Sequence, residues 1–412
     1  MIAVLVVAAG VAFVSGNHSV AQILQRPTVS LGPIGQHSNG LLAEVIRKMP
    51  KPDKIGNPAA AMRSIHRTMT FAPLNAGAPR MAGLVYNQAG KTKAAHNAMA
   101  AAVKLTRRDG TAQFWLANEA IAQRDLPQVL YRFDLIMRTH PAASPPMYET
   151  LARTLVDPVM RKEMRRFVNL KNPWLESFAS AAAAKPVNAE PLARLFLASK
   201  TVPDSPAMRN VYAAVLSQLG ADRKYGLIQG LYPRLPGANA KALKSIELPS
   251  DDATEYPPVS WARASDGSFG SAIVGRGADR LMELYVSSGA GGVAARKFLI
   301  LNPGNYSFRW RSIEGPADQD AQARALISCA AKGAETIIAE GDIKPALDRG
   351  GAEPDPVSGE LRFTVPATNC AAVLVDFRVG SGSGREEARW LFDRLSLVPV
   401  AKAAAAAATP AS

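Results

Sequence analysis

Residues Pro73–Asp109 read PLNAGAPRMAGLVYNQAGKTKAAHNAMAAAVKLTRRD. Small or apolar residues fall at Ala78, Gly83, Tyr86, Gly90, Ala95, Ala102 and Leu105, the spacing of two amphipathic helices joined by a glycine turn. Displaced by 34 residues the stretch meets itself on both sides. Gly56, Gly90 and Arg124 share one column, Ala61, Ala95 and Val129 share another, and Pro141 stands two periods after Pro73. A helix pair of that size cannot bury its own apolar face and must stack on a neighbour. The period therefore predicts a scaffold rather than a catalytic pocket.

The copies on either side are less regular. The following one keeps Ala112, Ala117, Ala120 and Val129 in register, with Arg124 where Gly stood and Ala120 where Tyr stood; the preceding one keeps Gly56, Ala61 and Phe71 but is interrupted by prolines. These positions resemble the tetratricopeptide repeat. In that family a small residue lets the paired helices approach, an aromatic fills the gap between them, and Gly turns the chain. The resemblance implies a helical solenoid whose concave surface docks a protein partner. Further short amphipathic segments, parted by Pro173, Pro186, Pro191, Pro203, Pro206, Gly220 and Pro233, extend the expected solenoid over residues 41–248.

At Pro249 the pattern changes from helical to alternating. Leu281–Val286, Lys297–Leu301, Tyr306–Trp310, Leu361–Val365 and Val373–Phe377 read as strands, with turns at Pro303-Gly304-Asn305, Pro356–Gly359 and Gly380–Gly384. The expected fold is multidomain α and β: a TPR-like solenoid followed by an antiparallel, jelly-roll-like β-sandwich over residues 249–400. The closing segment Phe392–Val398 resembles the last strand of galactose-binding-like jelly rolls, which are common in carbohydrate-binding modules. That resemblance implies a glycan as one partner.

The ends carry other signals. Ile2–Val14 is an apolar run too short for a comfortable membrane span, and no Lys or Arg precedes it. Residues 1–21 are expected to be a signal peptide or a membrane anchor, which places the protein in the periplasm, held at the inner membrane or released to the envelope. A buried N-terminal helix is the alternative. Residues 22–40 read as a polar tether and 401–412 as a disordered alanine-rich tail.

In an exported chain Cys329 and Cys370 are expected to pair, closing a loop worth about 4 kcal/mol in the chain-entropy model; two unrelated thiols are the alternative. The formal charge of +14 is uneven, since residues 254–400 hold 16 Lys and Arg against 18 Asp and Glu. The basic helical half thus faces an envelope protein or an acidic polymer or lipid. Nucleic acid is not expected, because the basic residues are scattered and no reader motif accompanies them. Lys104, Arg107 and Arg108 form one basic knot and Arg161, Lys162, Arg165 and Arg166 a second. These are either partner-binding residues or ordinary solvated faces.

No cofactor is implied. All five histidines, His18, His37, His66, His96 and His140, precede residue 141 and both cysteines follow residue 320, so a mixed Cys/His metal site is not expected. The region after Pro249 has no His, which excludes a Ser-His-Asp arrangement within it. No carboxylate pair there stands out at a glycosidase separation. Trp261 and Trp390 are candidates for stacking on a sugar, with Trp261 alternatively anchoring the sandwich; Tyr306, Phe308 and Trp310 share one strand face that reads as core. The expected function is a non-catalytic envelope scaffold that binds a protein through its helices and a glycan through its sandwich, in polysaccharide assembly or secretion. The alternative is a carboxylate-dependent, glycan-active enzyme of the envelope.

Overall fold

A computed structural model describes Leu42, Val45, Ile46 and residues 55–400 apart from 317–319, 332–333, 347–354 and 382–386. The expected N-terminal segment, the tether and the tail lie outside the described residues. The chain divides into two compact units, Met1–Thr201 and Val202–Ser412.

The first unit is helical. Its helices are α1 (Pro58–Phe71), α2 (Gly77–Gln88), α3 (Thr92–Leu105), α4 (Gly110–Ala122), α5 (Leu126–Thr139), α6 (Ser144–Thr154), α7 (Pro158–Met164), α8 (Leu175–Ala183) and α9 (Ala189–Ala198). Local chemistry starts several of them. The side chains of Asn57, Asp109, Asp125 and Asp157 accept hydrogen bonds from the first free backbone N–H groups of α1, α4, α5 and α7, which would otherwise lack partners. The 34-residue offset survives as geometry. Helices begin at Pro58, Thr92 and Leu126, and buried side chains recur in columns: Ala61, Ala95 and Val129; Ile65, Met99 and Phe133; Thr68, Ala102 and Ile136. Gly83 of α2 lies so close to α3 that a Cβ there would come within 2.9 Å of Met99, which is why a small residue is needed in the interface.

The turns inside the pairs also match. Gly90 and Arg124 take φ of 70° and 60°, and the N–H after each reaches back to the carbonyls of Tyr86 and Ala120, both at 2.9 Å, closing the helix in the manner of a Schellman cap. Gly56 does not share this left-handed turn among the described residues. Arg223, in the second unit, does: its φ is 57°, and Lys224 N–H bonds to Leu219 at 2.8 Å.

The second unit opens with α10 (Pro206–Ala221) and α11 (Tyr225–Leu231) and continues into strands β1 (Ala262–Arg263), β2 (Phe269–Val274), β3 (Leu281–Val286), β4 (Gly291–Leu299), β5 (Gly304–Glu314), β6 (Gln322–Ala331), β7 (Ala334–Asp342), β8 (Val357–Val365), β9 (Ala372–Gly380) and β10 (Ala388–Val400). They form two five-stranded sheets, ordered β1-β4-β9-β6-β7 and β2-β3-β10-β5-β8, with antiparallel pairing throughout. The core lies between them. Phe377 of the first sheet stacks on Phe392 of the second at 5.4 Å, and Met282, Leu284, Phe308, Trp310, Ile327 and Val375 fill the layer. Cys329 of β6 and Cys370, just before β9, are joined by a disulfide with a Cα separation of 5.2 Å.

Two sequence expectations change here. The Pro356–Gly359 turn is the start of β8: Gly359 lies opposite Trp310, whose indole occupies the space of the missing side chain. Trp261 and Trp390, expected to meet a sugar, are each 1% exposed. Trp261 stacks on Phe377 at 5.4 Å and donates its indole N–H to the Ile246 carbonyl, and Trp390 sits on the inward side of β10. Alternation along β10 buries Trp390, and packing on Phe377 just ahead of β1 buries Trp261, so neither offers a ring to a ligand.

Candidate functional site

The two sheets have different outer faces. On the first sheet part of the outer face is buried: Phe298, Leu326 and Leu374 are 0, 4 and 2% exposed, whereas Arg324 and Arg378 farther along the same face are exposed. Tyr225 of α11 stacks on Phe298 with ring centres 5.7 Å apart, and its hydroxyl donates to Glu335 at 3.1 Å. Arg223 lies 3.6 Å from the same carboxylate. Beneath them Arg296 grips Asp376 through two bonds of 2.8 Å, directly across the β4–β9 ladder. That pairing holds the Arg296 guanidinium above its ordinary pKa. Lys297, 3% exposed, donates to the carbonyls of Val259 and Ala242. Burial lowers its pKa to about 8.

The outer face of the second sheet is open. Strand alternation directs Arg389, Arg394 and Ser396 of β10, Arg309 and Arg311 of β5, and Ser358, Glu360, Arg362 and Thr364 of β8 away from the core. The side chains of Arg309, Arg362 and Arg389 are more than half exposed. Glu360 anchors the cluster, accepting from Ser307 Oγ at 2.6 Å, from Arg309 at 3.0 and 3.1 Å, and from Arg362 at 3.0 Å. These donors, Ser307 first, hold its carboxyl far below the usual range, at about 2. Asp393 is likewise lowered, chiefly by its hydrogen bonds from Arg311. Arg394 stands opposite Arg311 in the ladder, and the Arg311–Asp393 pair offsets what would be two like charges facing each other. Tyr285 of β3 also points outward, its ring lying against Gly270 of β2.

The candidate residues of the helical unit fall into two separate turns. Lys104 lies in the last turn of α3 and Arg107 and Arg108 follow the helix, all exposed. Arg161 instead donates to the carbonyls of Leu155 and Val156, Arg165 to those of Lys162 and Ala198, and Arg166 to that of Pro127 while lying over the Phe167 ring. These three guanidinium groups tie turns together, which is a use that residue counting does not reveal. His96 meets Glu119 at 2.6 Å across α3 and α4. Among the described residues no group of His, Cys, Asp and Glu is arranged to hold a metal ion, and no helix is long and apolar enough to cross a membrane.

The sequence reading missed the arginine face because its residues are spread over β5, β8 and β10, more than 80 positions apart at the extremes. The available signal was the alternation Arg309-Trp310-Arg311, a core aromatic flanked by outward cations.

No family model matches this chain, and no curated protein does. Solved structures similar to it include carbohydrate-binding modules that match the sandwich part. One titled CBM4 structure and function is 12% identical, with a TM-score of 0.26, covering 39% of this chain and 99% of that one. A CBM22-1 xylan-binding domain from Paenibacillus barcinonensis Xyn10C is 8% identical, with a TM-score of 0.25, covering 38% and 92%. TmCBM61, solved with beta-1,4-galactotriose, is 12% identical, also at 0.25, covering 35% and 91%. At such identities and scores the similarity assigns no ligand, and the two-sheet fold stands on its own strand pairing.

Proposed function

We propose that this protein is a non-catalytic adaptor of the cell envelope. Its helical unit, TPR-like in period, docks a protein partner, and its sandwich holds a glycan in polysaccharide assembly or secretion. The observation that carries the glycan reading is the difference between the outer faces of the sandwich: Tyr225 of α11 lies over part of one, at Phe298, while the other is left broad, polar and exposed. A sheet with no binding role on either side gains solubility from polar residues, but has no need of ordered guanidinium groups in a row.

The carboxylates on that face suit counter-ions rather than acid catalysts. A glycosidase needs one carboxyl kept protonated near neutral pH, whereas Glu360 and Asp393 are both held ionised by their partners. On the helical unit Lys104, Arg107, Arg108, Arg165 and Arg166, all exposed, together with half-buried Arg161, are the cations proposed to meet the protein partner. Envelope residence is part of the proposal and rests on the apolar run Ile2–Val14 together with the disulfide.

Screening the purified full chain against a glycan array, with product analysis, tests the reading. Binding without turnover is the expected result. Turnover abolished by a single Asp or Glu substitution would replace it with a glycan-active enzyme, and no binding to any glycan would leave the sandwich a structural element.

A further inference from the structure

We propose that the outer face of the β2-β3-β10-β5-β8 sheet binds an acidic polysaccharide, a chain of carboxylate-bearing sugars, through Arg309, Arg311 and Arg362. This rests on reading the sandwich as a glycan-binding module and names the class of glycan.

The first argument is charge placement. Residues 254–400 hold slightly more acid than base, and over the whole face Arg389 is matched by Glu283 and Glu387, with Glu314 nearby. Around the proposed site, however, Arg309, Arg311, Arg362 and Arg394 stand, among the described residues, against Glu360 and Asp393 alone. The excess of base is local to β5, β8 and the adjoining part of β10.

The second argument is how the guanidinium groups are held. Arg309 and Arg362 each direct Nε and Nη2 at Glu360, and Arg311 directs the same two nitrogens at Asp393. One edge of each fork is thus fixed by a carboxylate, and Nη1 is left to serve a ligand. A guanidinium offers five N–H donors in a rigid plane, so fixing one edge orients the rest without using them up. The side chains lose little further freedom when an anion arrives, which favours affinity. Strand geometry sets their spacing: Arg309 and Arg311 are two residues apart on β5, about 7 Å, and Arg362 belongs to the adjoining strand, about 5 Å away. Successive acidic groups along one extended polymer can meet such a row, whereas a single small anion would use only part of it.

The third argument is what the face lacks. Neutral sugars and single-stranded nucleic acids are held largely by stacking on aromatic rings. Here the sandwich tryptophans Trp261, Trp310 and Trp390 are all buried, and among the described residues of this face Tyr285 is the aromatic, half-buried against Gly270. Recognition by charge and hydrogen bonding is what remains, and the carboxylate of a uronic acid matches the guanidinium fork.

The test uses the full chain and two forms of one backbone, polygalacturonate and its fully methyl-esterified counterpart, by titration calorimetry and affinity electrophoresis at low and high salt. Binding to polygalacturonate, weakened by added NaCl and lost on esterification, is the expected result. The Arg309→Ala/Arg362→Ala variant should bind about tenfold more weakly or worse, while its melting temperature stays close to wild type, because exposed ion pairs add little stability. Equal binding to both forms would overturn the acidic-glycan inference and leave the glycan-binding reading intact. Binding to neither form, together with an empty glycan array, would remove both. Full retention of polygalacturonate binding in the double variant would overturn the site, and binding to anionic vesicles or single-stranded DNA in place of polygalacturonate would overturn the class of ligand.

Discussion

Gly359 shows how one residue's role depends on its neighbour across a ladder. A Cβ built there would collide with the Trp310 ring, and Trp310 is itself buried in the core. Overpacking of this kind costs about 1–3 kcal/mol. Gly359→Ala is therefore expected to lower the urea midpoint with an unchanged m-value, and an unaltered midpoint would show that the indole can shift. Lys297 makes a different prediction, one about pH. Burial brings it from an ordinary 10.5 to about 8. Below pH 8 the folded and unfolded chains both hold the proton, and the cost of burying the ammonium is present in full. Between pH 8 and 10.5 the unfolded chain binds more protons, so stability rises with pH. The gain, about 3 kcal/mol, should appear in urea unfolding as a pH-dependent difference between wild type and Lys297→Met; a difference that is flat with pH would refute it.

At the scale of elements, the recurring unit is the left-handed turn that ends one helix and sends the chain into the next. Gly90 occupies it without strain, while Arg124 and Arg223 hold φ near 60° with a side chain attached. The left-handed conformation costs a non-glycine residue about 1–2 kcal/mol, and the extra freedom of glycine in the unfolded chain offsets about 0.5–1 kcal/mol of the relief. Arg124→Gly is expected to stabilise the helical unit by about 0.5–1 kcal/mol, read from thermal unfolding. Destabilisation would mean that the Arg124 side chain makes a contribution beyond its backbone. The departure from glycine that weakens the sequence match is, in three dimensions, the same turn at a higher conformational cost.

For the whole molecule the division of the chain matters most. The pattern turns from helical to alternating at Pro249, but the second compact unit begins at Val202 and includes α10 and α11. Those helices and the loop to β1 supply cover for the first sheet, through Tyr225 on Phe298, the Pro258 carbonyl bonded to Phe298 N–H, and the Leu243 carbonyl bonded to Ile300 N–H. A fragment of residues 202–400 is expected to be soluble and to unfold in one cooperative step. A fragment of residues 249–400 lacks Tyr225, uncovers Phe298 and should bind a hydrophobic dye and aggregate. Equal behaviour of the two fragments would show that the helices are dispensable to the sandwich.

The sequence by itself determined the local grammar. Periodicity is a property of neighbouring residues, so the helix pairs around Gly90, the exact limits of β3 at Leu281–Val286, and the core side of Phe308 and Trp310 were legible without coordinates. It did not mark β2, β6 or β7, whose runs of Ala, Ser and Gly alternate weakly, and it read Gly359 as a turn because a lone glycine looks the same in a loop and beneath an indole. The tertiary structure decided everything that depends on which distant strands are neighbours. It buried Trp261 and Trp390, tied Arg161, Arg165 and Arg166 to carbonyls of their own unit, laid Tyr225 over Phe298 of one sheet, and assembled Arg309, Arg311 and Arg362 on the other. A side chain's inward or outward sense follows from period-two alternation, but the identity of the residues beside it is set by register across the sheet, which no single strand contains.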